Sequence, residues 1–171
     1  MPIERDWTHS VTEIPEEGLR VKRQATPAVR EALAAELDLI ACERLEVRYS
    51  VKPLSQGRFL LKGTLEANVV QTCVVSLDPV ETRLVEPFEV EFWPGLEETP
   101  EVIEFDPLDT REIEPMEGNI IPVGRIIYEQ FASAVPIHPR KEGAVFEPPS
   151  PREADAPVNP FAVLKNLKRQ E

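Results

Sequence analysis

The sequence predicts an α+β fold: an antiparallel β-sheet, a meander either open or closed into a barrel-like form, packed with two main helices. Three observations predict it. First, Leu45, Val47, Tyr49 and Val51 alternate with Glu46, Arg48, Ser50 and Lys52, and alternation resumes from Arg58 to Val70 through Phe59, Leu61, Gly63, Leu65, Ala67 and Val69. Period-two patterning of this kind marks strands with one wet face. Second, two segments carry a stripe at helical spacing, Val29, Leu33, Leu37 and Ile40 in one and Val123, Ile126, Ile127, Gln130, Phe131 and Ala134 in the other, apolar but for Gln130. Third, the connections between strands are short, with turn residues at Pro53 to Gly57 and at Leu77-Asp78-Pro79. Short connections favour antiparallel neighbours, because a parallel pair needs a long crossover.

The elements follow in order. Arg5 to Thr12 places Trp7, His9 and Val11 on one face and reads as a strand, and Leu19 and Val21 continue with a second, short one. Thr26 then caps a helix that has Pro27 at its first position, where a missing N–H costs nothing. Cys42 stands at the end of that helix. After the two alternating strands, Leu84 to Trp93 supplies a third, with Phe88, Val90 and Phe92 facing one way. Residues 97–117 hold nine acidic residues, three prolines and one base, Arg111, and read as an exposed acidic loop with a short strand at Val102 to Phe105. Gly118-Asn119 turns the chain into the second helix, which starts at Pro122 and stops at Pro136.

Residues 1–136 therefore form one domain, whose expected core is Trp7, Leu33, Leu37, Val47, Phe59, Leu61, Leu65, Phe88, Phe92, Ile126 and Phe131. Residues 137–158, with Pro139, Pro148, Pro149, Pro151 and Pro157, read as an extended proline-rich linker. The segment 159–169 closes the chain as a short helix: Asn159 caps it, Pro160 takes the first position, Phe161, Leu164 and Leu167 make its apolar stripe, and lysines crowd its last turn. A helix of about ten residues is marginal alone in water, so it forms by docking, either on its own domain as a cap or on a partner as a recognition face.

Composition bounds the function. The chain has 171 residues, 19 basic against 31 acidic, and a net charge of −12. Sequence-independent nucleic-acid binding comes from Lys and Arg neutralising phosphates, so this balance argues against free-standing RNA or DNA binding and leaves a local basic patch as the remaining route. Anionic membrane surfaces are disfavoured for the same reason, and no run of eighteen apolar residues offers a membrane span. The N-terminal stretch lacks the apolar centre of a secretory signal, and two cysteines do not make a disulfide framework. Cytoplasmic location is the expectation.

Few constellations point to chemistry. His9 and His138 lie far apart, and structural or solvated roles suit both. A tetrahedral zinc wants four N or S ligands, and the position three after Cys73 is Ser76. No metal, cofactor or catalytic residue is expected, and no phosphate-binding or nucleophile-elbow motif occurs. Gln71, Thr72 and Cys73, where a long strand meets a turn, form either a surface site or a strand closure.

Three separated stretches resemble the YceD family, named for large ribosomal RNA subunit accumulation. The first runs Gly63-Thr64-Leu65-Glu66-Ala67-Asn68-Val69-Val70-Gln71-Thr72-Cys73-Val74-Val75-Ser76-Leu77-Asp78-Pro79-Val80, where many members have Cys-x-x-Cys and this chain has Ser76 for the second cysteine. The second is Gly118-Asn119-Ile120-Ile121-Pro122-Val123-Gly124, leading through Glu129-Gln130 to Ala134-Val135-Pro136-Ile137-His138-Pro139. The third is Asn159-Pro160-Phe161-Ala162-Val163-Leu164 with its lysine-rich end. The resemblance covers about residues 45 to 168. It implies a non-enzymatic factor for accumulation or processing of 23S ribosomal RNA, from a family associated in bacteria with genes for large-subunit ribosomal proteins.

Together with the acidity, this points to a precursor of the large ribosomal subunit, or a basic ribosomal or rRNA-processing protein, as partner. The elements proposed to meet it are the acidic loop, Gln71, Thr72 and Cys73, and the closing segment with Asn159, Pro160, Phe161, Leu164 and Leu167. Two other readings stand beside this one. The chain could be a general adaptor presenting its terminal helix to a groove, which deleting residues 155–171 would reveal as lost partner capture at unchanged stability. It could instead be a thiol-dependent enzyme or nuclease at Cys73, which Cys73→Ser would inactivate.

Overall fold

A computed structural model describes residues 3, 7–95, 112–116 and 118–146. Its main body is a five-stranded sheet in the order β2-β3-β4-β5-β6, built from β2 (Leu19–Gln24), β3 (Ala41–Pro53), β4 (Phe59–Thr72), β5 (Pro79–Trp93) and β6 (Glu112–Pro115). The first four strands pair antiparallel in sequence order, as the short connections require. Among the described residues the sheet is open, so the barrel-like alternative does not hold. Strand β6 also departs from the meander, pairing parallel to β5 with Glu112 opposite Val90 and Pro115 opposite Trp93. Part of the expected acidic loop is therefore strand. The strand expected at Val102 to Phe105 lies outside the described residues.

Alternation places Leu45, Val47, Tyr49 and Val51 of β3, Leu61, Leu65, Ala67 and Val69 of β4, and Leu84, Phe88, Val90 and Phe92 of β5 on one buried face. Helix α1 (Pro27–Glu36) packs on this face against β3, and helix α2 (Val123–Ala134) packs against β4 and β5. The expected core residues are buried, apart from Leu37, which is partly so. Thr26 caps α1 as its position predicts, its Oγ1 accepting a hydrogen bond from the Val29 N–H at 3.3 Å.

Helix α1 ends earlier than its apolar stripe suggests. Leu37 donates to the Leu33 carbonyl, Asp38 turns to a left-handed φ of 52°, and the Leu39 N–H returns to the Ala34 carbonyl. This turn sends Leu39 into the core and leaves Ile40 half exposed, at the place the stripe had given to a buried side chain. Cys42 consequently sits at the start of β3 rather than at a helix end. Of the expected strand Arg5–Thr12, the described residues 7–12 hold β1 (His9–Ser10), which pairs antiparallel with β7 (Ile120–Ile121) and gives way to a 3₁₀ turn at Val11–Glu13. Among the described residues no helix is long and apolar enough to cross a membrane.

Candidate functional site

The end of β4 and the turn that follows it carry Gln71, Thr72 and Cys73, and the structure brings them against a distant part of the chain. Gln71 and Cys73 share the inward side of the strand and are buried, while Thr72 points outward and is exposed. The turn closes through the Cys73 N–H on the Asp78 carbonyl at 2.8 Å and the Leu77 N–H on the Cys73 carbonyl at 3.1 Å. Leu77 adopts a φ of 63° to make it. Two backbone N–H groups within the turn, those of Val75 and Ser76, donate to the Cys73 Sγ at 3.4 and 3.3 Å.

A third donor comes from far along the chain: the Lys141 N–H reaches the same sulfur at 3.3 Å. The Val74 N–H also donates to the Pro139 carbonyl at 2.9 Å, and the Lys141 Nζ pairs with Asp78 at 3.0 Å. Residues 139–141, which the sequence places in an extended linker, are thus clasped to the turn after β4. Gln71 adds a further tie, its Nε2 donating to the Pro136 carbonyl at 2.9 Å.

The sulfur's surroundings change its chemistry. The Lys141 N–H first, then the Ser76 hydroxyl and the Ser76 and Val75 N–H groups, lower the Cys73 pKa to about 6, and burial opposes them only in part. Cys42, by contrast, is pushed up by burial. An ordinary thiol titrates near about 8.5, so these donors favour the thiolate form of Cys73. A depressed pKa adds stability that is complete above the unfolded-state pKa and is lost as pH falls through the folded one. The clasp should weaken as pH drops toward about 6. Thiolate absorbance of the folded protein minus that of Cys73→Ser should titrate with a midpoint near about 6; a midpoint at or above about 8.5 would contradict the cradle.

Beside this turn lies a groove of about 610 Å³ between the end of α1 and the exit from α2, with Ile40, Val74 and Ile137 exposed along it. Gln71 lines it, and its Oε1 is buried without a hydrogen-bond partner among the described residues. The Asp38 turn that cuts α1 short also shapes one wall. The other candidate residues, Asn159, Pro160, Phe161, Leu164 and Leu167, lie outside the described residues, as does the acidic segment 96–111.

His9 Nε2 lies 2.9 Å from the Tyr49 hydroxyl, with its pKa lowered by burial and then by Arg23. Both cysteines are free thiols, and among the described residues no cluster of three or more His, Cys, Asp or Glu side chains is placed to hold a metal ion. Sequence reasoning missed Pro139 and Lys141 as part of the site. Its Val-Pro-Ile-His-Pro run signals extended chain but not the strand end on which that chain lands.

The family model described as Large ribosomal RNA subunit accumulation protein YceD matches residues 61–168. The chain belongs to the YceD family. The match begins inside β4 and takes in the Cys73 turn, β5, β6, α2 and the clasped residues 139–141, so both sides of the clasp fall within the YceD region. Strands β1 to β3 and α1 precede it. No curated protein and no solved structure matches the chain significantly. Membership of the YceD family ties the chain to a general role connected with ribosome biogenesis.

Proposed function

We propose that this chain is a non-enzymatic, cytoplasmic factor that supports accumulation and processing of 23S ribosomal RNA during large-subunit biogenesis, by binding a basic ribosomal or rRNA-processing protein. The observation that carries the reading is the YceD match across residues 61–168. The net charge of −12 supports a basic partner, because opposite charge steers encounter and sets orientation. The Cys73 environment supports a binding role over a thiol enzyme. Its sulfur is inaccessible to solvent and its N–H donors hold the clasp together, whereas reactive cysteines are partially exposed.

The test is sedimentation of tagged protein from cell extract. It should co-migrate with precursors of the large subunit at low salt and leave them as salt rises, since exposed charge contacts are screened. A protein that never co-migrates with those particles, even at low salt, contradicts the reading.

A further inference from the structure

We propose that the solvent face of the sheet, formed by β2, β3, β4 and the adjoining part of β5, binds the phosphate backbone of RNA. The inference rests on the ribosomal reading above and adds RNA as a second partner, held by one face. Four cross-strand rows make the centre of the face: Arg44 with Asn68 and Arg83; Gln24 with Glu46, Glu66 and Val85; Lys22 with Arg48, Thr64 and Pro87; and Arg20 with Ser50, Lys62 and Glu89; the flanking rows add Glu81 at one end and Lys52 with Glu91 at the other. The four central rows hold six bases and three carboxylates, in a protein that is strongly acidic as a whole.

Exposure sharpens the excess. The Glu46 side chain is almost covered, only 9% exposed, while the side chains of Lys22 and Arg48 are 61% and 58% exposed. Burial pushes the Glu46 pKa up, but hydrogen bonds from Lys22, Arg44 and Arg48 outweigh it and keep the group ionised. Glu66 lies within reach of Arg44, Arg48 and Arg83, and Lys62 pairs with Glu89. Two buried or half-buried carboxylates thus fan four longer cations outward. Arg20, Lys22, Arg48 and Lys62 surround a shallow hollow of about 430 Å³ on this face.

The chemistry fits a phosphate backbone better than a protein. Protein interfaces centre on buried aromatic or aliphatic anchors, and here only Val85 and Pro87 are apolar among the side chains of the four rows. Phosphate binding needs cations and neutral hydrogen-bond donors, which Ser50, Thr64 and Asn68 add. Exposed ion pairs are weak, so the arginines and lysines can exchange a carboxylate for a phosphate. The chain outside these rows is acidic in sum, which disfavours RNA there and favours a basic protein. A basic protein elsewhere on the chain and RNA on this face would then be bridged by one factor.

The test uses the full chain and a labelled RNA duplex of about 30 base pairs, with a 23S rRNA transcript as competitor: competition no better than the duplex's own, per nucleotide, is expected of backbone binding. Affinity for the duplex should fall with salt at a log–log slope between about −3 and −5, and replacing Arg20 and Lys62 together by glutamine should reduce that slope by about 2. Arg20→Glu with Lys62→Glu should weaken binding at least tenfold with an unchanged thermal midpoint, while Glu81→Lys, outside the four rows, should not weaken it. Absence of binding at 50 mM salt (about 14 Å of Debye screening), or charge reversal without effect, overturns the proposal. Binding that appears only when residues 97–109 are removed also overturns it, assigning the face to that acidic segment. If charge reversal leaves duplex binding unchanged while the protein still sediments with precursor particles, the RNA face is refuted and the ribosomal reading stands; if the intact chain binds the duplex but never sediments with them, the ribosomal reading fails instead.

Discussion

Replacing Phe131 by alanine is expected to lower the unfolding free energy by about 3–5 kcal/mol. Phe131 is completely buried on the face of α2 that packs, with Ile126 and Ile127, against β4 and β5. Its ring joins helix to sheet where neither can collapse into the vacated space, because the sheet is held by long ladders and the helix is fixed at both ends by Pro122 and Pro136. Domains of this kind unfold at a cost of only about 5–15 kcal/mol, so the variant would lose at least about a fifth of its stability. A urea titration should show a lower midpoint with an unchanged slope. A loss under about 1 kcal/mol would mean that α2 is not seated as described.

Gly63 is the second position where one side chain should have a large effect, and here the fault is too much volume. Gly63 lies on the buried face of β4 between Tyr49 of β3 and Phe88 of β5. A Cβ there would come within 2.6 Å of both the Arg48 carbonyl oxygen and the Phe88 Cζ, and within 2.8 Å of the Tyr49 Cβ. The Phe88 ring can move, but the Arg48 carbonyl belongs to the sheet itself. Gly63→Ala should therefore cost about 2–3 kcal/mol and Gly63→Val more. Shortening the ring should relieve one of the three clashes, so Phe88→Leu combined with Gly63→Ala should show a favourable coupling of at least about 0.5 kcal/mol. Additive effects would contradict this geometry.

The parts of the fold that read directly from sequence are those whose pattern is local. The alternation of β3 and β4, the Thr26–Pro27 start of α1 and the stripe of α2 each arise from neighbours within a few residues. Ile40 misled because a stripe at i, i+4, i+8 and i+11 says nothing about a left-handed Asp38 that breaks the helix before the stripe ends. Strand β6 was hidden by its charge. Glu112 and Glu114 look like part of an acidic loop, and what orders them lies on α2, where Arg125 pairs with Glu114 at 2.8 Å and Gln130 reaches Glu112 at 3.4 Å. The β1–β7 pair joins two-residue strands more than a hundred residues apart, and so short a ladder leaves no periodicity to read.

The candidate site divides in the same way. Two of the three N–H donors to the Cys73 sulfur are local, since Val75 and Ser76 belong to the turn itself. The third comes from Lys141, 68 residues away, and depends on the whole domain having folded. The basic sheet face was present in the alternation of Arg20 and Lys22 and of Arg48 with its neighbours. A net charge of −12 conceals it, because a sum over the chain carries no information about which strand positions share a face.

The clasp and the sheet face give a YceD-family chain two distinct surfaces, one built around the strand end and the α2 exit, the other on the opposite side of the sheet. Both matter only if the chain serves large-subunit biogenesis. The most direct measurement is the ratio of mature 23S to 16S ribosomal RNA in cells before and after depletion of this protein, with precursor 23S ends mapped in the same samples. The account predicts a fall in the ratio with accumulation of unprocessed 23S ends, restored by the intact chain. An unchanged ratio and normal 23S ends after complete depletion would contradict it.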